Sequence, residues 1–73
     1  MSPSQLRRVL ARNIRQVAKR RRKSLNALAD FAGVSRSQLY DVLAQRKAAS
    51  VDWIARIATA LEIEPSRLLA TDS

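Results

Sequence analysis

The chain has 73 residues, a net charge of +8, and neither Cys nor His. That length suits one small domain, and a core of that size rarely supplies more than about 3–5 kcal/mol; the missing Cys and His exclude disulfides and the usual zinc sites. No run approaches the roughly 20 apolar residues of a membrane span, and no apolar segment follows the first arginines as a secretory signal would require.

A cytoplasmic, nucleoid-associated protein is therefore expected, with oligomerisation as the remaining common source of extra stability. The positive charge is concentrated. Residues 1–23 hold nine Lys and Arg and no acid, whereas residues 24–73 hold five basic and six acidic residues. Such a block suits a polyanion; as a merely solvated helix face it would serve solubility. Helix formers dominate, strand-type alternation is missing, Gly occurs once and Pro twice. Together these predict an all-α chain of five short helices forming one domain over 1–73.

The first helix is expected over 4–21, capped by Ser4 after Pro3. Leu6, Leu10, Ile14 (or Val9) and Val17 recur at helical spacing as its buried stripe, and arginines take the other faces. The second helix starts at Ser24, a good N-cap, and ends near Ala32, where Gly33 supplies a left-handed turn. The third opens at Ser35 and runs to about Ala44, before a polar loop of Gln45, Arg46 and Lys47. The fourth, capped by Ser50, places Val51, Ile54, Ile57, Ala58 and Leu61 on one face. Glu62, Ile63 and Glu64 interrupt it. Pro65 suits the first position of a last short helix carrying Leu68 and Leu69, and the tail Thr71, Asp72 and Ser73 reads as frayed.

Residues 25–44 carry the functional pattern. Two short helices joined by a tight turn cross steeply, which needs a small contact residue, a flexible turn residue and apolar inner faces. Ala29, Gly33, and the set Leu28, Ala32, Val34, Leu39 and Val42 provide them in register. At about 100° per residue, Leu39, Val42 and Leu43 fall on one side of the third helix. Ser37, Asp41 and Ala44 fall on the other, flanked by Tyr40 and Gln38, with Arg36 in the first turn. A small, polar outer face with one Arg suits a DNA major groove. Arg36 could pair with guanine O6 and N7, Ser37 or Gln38 with base edges or phosphate, Asp41 with a cytosine amino group, and Tyr40 with a thymine methyl or a phosphate. Each could equally be an ordinary solvated residue. Phosphate contacts are expected from the N-terminus of the second helix at Ser24 to Asn26, from Arg46 and Lys47, and from Arg20, Arg22 and Lys23. The last group could instead complement the dipole at the end of the first helix.

The run SLNALADFAGVSRSQLYDVLAQRKAASVDWIARIATALEIEPSRLL resembles the Cro and phage-repressor (Xre-type) helix-turn-helix domain, over about Leu10 to Leu69. The best matches are Leu28-Ala29, Ala32-Gly33-Val34-Ser35, and Ile57-Ala58 with Ala60-Leu61. The resemblance implies a five-helix transcriptional regulator that binds a palindromic operator as a homodimer. It implies operator contacts at Ser35, Arg36, Ser37 and Asp41 and a dimer contact in the C-terminal helices. The chain departs from the family at Leu25, where many members place a phosphate-binding Gln, and at Gln45, Ala48 and Ala49, where Gly, Asn or Pro is common. Trp53 reads first as core and second as part of a dimer interface with Ile63, Leu68 and Leu69.

The expected function is a sequence-specific regulator: Cro-like, a restriction-modification controller, or an antitoxin-type autorepressor, which would add a toxin as protein partner. The alternative is a non-specific DNA or RNA binder driven by the basic first helix. That helix could also lie on a membrane surface, but its apolar stripe is needed for the core and it holds no aromatic. Enzymatic function is not expected, because the acids are scattered and no Gly-rich phosphate loop occurs; no cofactor or metal is implied.

Overall fold

Four serines start four of the five helices. In the computed structural model, which describes residues 1–71, the helices are α1 (Pro3–Arg20), α2 (Leu25–Ala32), α3 (Arg36–Leu43), α4 (Val51–Leu61) and α5 (Pro65–Leu68). The hydroxyls of Ser2, Ser24, Ser35 and Ser50 accept from the amides of Gln5, Ala27, Gln38 and Trp53 at 3.0–3.2 Å. Each such cap is worth about 0.5–2 kcal/mol against Ala. The cap of α1 is Ser2 and not the expected Ser4. Pro3 takes the first helical position, where its missing N–H costs nothing. The Gln5 side chain closes a capping box by accepting from the Ser2 amide at 2.7 Å. The expected fraying of Asp72 and Ser73 lies outside the described residues.

The same four helices end alike. An amide two or three residues past each end reaches back five residues: Lys23 to Ala18, Val34 to Ala29, Arg46 to Asp41 and Ile63 to Ala58, at 2.9–3.0 Å. This closure needs a left-handed residue just before the bonding amide. Gly33 fills that place after α2 at φ 70°, but Arg22, Gln45 and Glu62 fill it elsewhere at φ 54°, 63° and 59°. A side chain there costs about 1–2 kcal/mol, and sequence inspection finds only the glycine.

The helices close on one core. α1 packs on α3, α5 and α2; α2 packs on α3 and α4; α4 packs on α5. Every helix sends at least one large aliphatic side chain to the centre: Ile14, Leu28, Leu39, Ile57 with Leu61, and Leu68. Full burial of each contributes about 1.5–3 kcal/mol. Two expected core residues lie outside it: Leu6 is 39% exposed and Val51 82% exposed. The buried face of α4 centres on Ile57 and Leu61, about 90° from Val51, and Trp53 fills the far edge of that face. Trp53 is therefore a core residue, 4% exposed, and so is Leu68, at 0%.

The buried polar residue is Asn13, which no sequence pattern singled out. Its Nδ2 donates to the carbonyls of Leu68 and Ala70, both at 2.9 Å, with Arg67 O at 3.4 Å. One α1 side chain thus satisfies the carbonyl end of α5, a four-residue helix too short to be stable alone. The other buried donor, Trp53 Nε1, has no partner among the described residues. Replacing Asn13 by Ala leaves the α5 carbonyls unpaired, so Asn13→Ala should cost about 1–3 kcal/mol. Urea unfolding at pH 7 measures it, and hydrogen exchange at Leu68 to Ala70 should speed up first.

Candidate nucleic-acid interface

The outward face of α3 is set by what its inward face buries. Leu39, Val42 and Leu43 are buried, as are Leu28, Ala29 and Ala32 of α2, while Val34 in the turn is half-buried. α2 ends at Gly33, whose left-handed backbone reverses the chain into the Ser35 cap of α3. A Cβ on Gly33 would meet only Arg56 Nη1, at 3.8 Å. The glycine is required by its dihedral angle and not by crowding. With the inner residues fixed, Arg36, Ser37, Tyr40 and Ala44 stand exposed and Gln38 and Asp41 are half-buried.

These outward side chains are tied to one another. Arg36 donates from Nε and Nη2 to the two carboxylate oxygens of Asp30 at 3.2 and 2.7 Å. Tyr40 Oη donates to Asn26 Oδ1 at 2.8 Å, linking α3 to the first turn of α2. This leaves the Asn26 amide hydrogens directed by a fixed oxygen. Asp41 Oδ1 accepts from Arg46 Nε and Nη2 at 3.2 and 2.9 Å, and Lys47 Nζ lies 3.5 Å from its Oδ2. Both oxygens of Asp41 are engaged, so the residue holds the two cations of the following loop in place. Ser24 and Ser35 accept through their hydroxyl oxygens as caps and keep a hydroxyl hydrogen to donate.

The basic block is less uniform than its composition. Arg20 and Arg22 are exposed and form no ion pair among the described residues. Lys23, expected at phosphate, is instead turned towards α4. Its Nζ donates to Ala60 O at 3.0 Å and sits 4.4 Å from the centroid of the exposed Phe31 ring. The carbonyl is an uncapped acceptor near the end of α4, and a cation satisfies it better than water does. The expected dimer residues also divide. Ile63 and Leu69 keep exposed surface, whereas Trp53 and Leu68 are enclosed by their own chain and have none to offer a second copy. Sequence reasoning missed Asp30, which lies six residues before Arg36; only the bend brings the two together.

Asp30 and Asp41 have carboxyl pKa values below the ordinary range, chiefly because Arg36 and Arg46 donate to the charged forms. The depressed folded value means the stabilisation is present above the unfolded pKa of about 3.9 and is lost as pH falls through the lower folded value. With no His or Cys, no side chain has an ordinary pKa between about 5 and 8. Urea midpoints should therefore stay level from pH 5 to 8 and fall below about pH 4.

A family model described as "Helix-turn-helix domain" matches residues 9–70. No curated protein matches. Among solved structures, the restriction-modification controller protein C.AhdI from Aeromonas hydrophila is 29% identical, with a TM-score of 0.81 over 85% of this chain and 94% of that one. The hypothetical transcription factor NHTF from Neisseria is 30% identical, with a TM-score of 0.86 over 96% of this chain and 82% of that one. With five helices, a Gly33 bend and an outward Ser37 face already in place, this chain belongs to the helix-turn-helix domain family.

Proposed function

We propose that this chain is a sequence-specific DNA-binding transcriptional regulator that lays α3 in the major groove and binds a palindromic operator as a dimer. The observation that carries the reading is the outward α3 face, small at Ser37 and Ala44, with Arg36, Gln38 and Tyr40 around it. A controller protein and a hypothetical transcription factor with this backbone support it. Arg36 and Ser37 read base edges, with Gln38 and Tyr40 at their flanks. Ser24, Asn26, Ser35, Arg46, Lys47, Arg20 and Arg22 hold the phosphates on either side. Asp41 orients Arg46 and Lys47.

The size of the chain supports dimerisation on such a site. The folded chain measures 30 × 24 × 19 Å, and half-sites of a palindrome lie about 34 Å apart on one DNA face. One chain spans one half-site; two related by a two-fold axis span both. The surface best suited to the contact is an open apolar groove of about 280 Å³ lined by Leu6, Ala48, Ala49, Val51, Ile54 and Leu69. It takes over from the buried Trp53 and Leu68 and retains Leu69 from the expected set.

A second reading is favoured by one observation. Arg7, Arg8, Arg12, Arg15 and Lys19 of α1 form no ion pair among the described residues. A chain using them alone would bind any nucleic acid, DNA or RNA, through phosphate charge.

Selection from a random duplex library separates the readings. The specific regulator should enrich a two-fold symmetric site with half-site centres about 10 base pairs apart, bound about 10³-fold or more tighter than random duplex. Arg36→Ala should lower that ratio about tenfold or more; equal affinity for every duplex and no effect of Arg36→Ala would establish the phosphate-driven reading. Val51→Asp places a charge in the groove and should shift sedimentation from dimer to monomer without unfolding the chain. A dimer that persists unchanged would move the interface elsewhere.

A further inference from the structure

Arg36 occupies the first position of α3, so the Ser35 cap fixes its backbone. Its side chain is 55% exposed, and an exposed Arg ordinarily samples many rotamers. Here it is held. The contacts to Asp30, 3.2 Å from Nε and 2.7 Å from Nη2, engage the side edge of the guanidinium. They use two of its five donors. Nη1, and the second hydrogen of Nη2, have no partner among the described residues. Those two nitrogens form the end edge, the fork whose spacing matches guanine O6 and N7. Asp30 belongs to α2 and reaches Arg36 across the Gly33 bend. Both of its oxygens accept from the arginine, one from Nε and one from Nη2.

We propose that Asp30 is a specificity-positioning residue, holding Arg36 by its Nε edge so that the Nη1–Nη2 edge is presented to a guanine. The inference rests on the reading of α3 as the base-reading helix. Its physical content is that the arginine is ordered before DNA arrives, so less freedom is lost on forming the bidentate pair. A carboxylate close to DNA phosphates also opposes binding to every sequence alike. Asp30 therefore acts with opposite signs on two measurable quantities: it lowers general affinity and raises discrimination. A residue of purely structural importance would lower both when removed, together with stability.

The test compares the wild type with Asp30→Ala, Asp30→Asn, Arg36→Ala and the double variant Asp30→Ala/Arg36→Ala. Each is titrated against the selected operator, against operators altered at single base pairs, and against random duplex, with thermal melts to confirm folding. Asp30→Ala should bind random duplex as tightly as wild type or more so. It should lose about tenfold in discrimination at the same base pair where Arg36→Ala loses it. The double variant should discriminate no worse there than Arg36→Ala alone. Asp30→Asn keeps one acceptor and should fall between. If Arg36→Ala loses discrimination while Asp30→Ala keeps the wild-type pattern, improves on it, or fails at a different base pair, the role of Asp30 is overturned and the reading of α3 stands. If the wild type discriminates nowhere, or Arg36→Ala discriminates as the wild type does, the reading of α3 and the proposal both fall.

Discussion

The left-handed bend at Gly33 is the constraint on which the molecule depends. It lets α2 and α3 meet across a fully buried Ala29 while their outer surfaces remain free. A larger residue at 29 would push the helices apart in a core that has no spare volume. A different dihedral at 33 would change the direction in which α3 leaves the turn and lose the fit of Leu39 against α2. The closing bond from the Val34 amide to Ala29 O spans the bend and fixes both helices at once. The three other helix ends use the same closure with Arg22, Gln45 and Glu62 in the left-handed position. The fold accepts backbone strain at those three ends and avoids it at the bend between α2 and α3.

The outward face is ordered by its own charges. Within the two crossed helices and the following loop, both carboxylates are claimed by cations of the same region: Asp30 by Arg36, and Asp41 by Arg46 and Lys47. Neither pair contributes much to stability, because exposed ion pairs are screened and entropically costly. Their effect is on direction. They favour one arrangement of long, flexible side chains over the others that solvent allows. The Tyr40–Asn26 bond does the same across the two helices. Meanwhile most of the basic first helix forms no ion pair among the described residues, so positive charge is placed broadly and side-chain geometry is controlled locally.

The last helix is held by one buried amide and one buried leucine. Asn13 reaches the carbonyl end of α5, and Leu68 anchors the same helix in the core. That arrangement keeps Leu69 and the neighbouring α1 and α4 side chains at a shared apolar surface.

Local chemistry made much of this legible in the sequence. Ser24, Ser35 and Ser50 mark helix starts because a short hydroxyl side chain bonds an amide three residues ahead, and Gly33 marks an end because only its backbone bends freely to the left. The inner set Leu28, Ala29, Ala32, Leu39 and Val42 follows from helical spacing alone, and so does the outward position of Ser37. What periodicity could not supply is which edge of a stripe finds a partner: Leu6 and Val51 keep the pattern but are left uncovered, and Leu68 turns inward. Nor could it supply pairings across the bend or between distant helices, such as Asp30 with Arg36, Lys23 with Ala60, or Asn13 with α5. The helices, the bend and the outward face can be read from residue order, because they depend on neighbours within a few residues. Which charged and polar side chains are already engaged emerges only on folding, because that depends on distances set by packing and not by the order of residues along the chain.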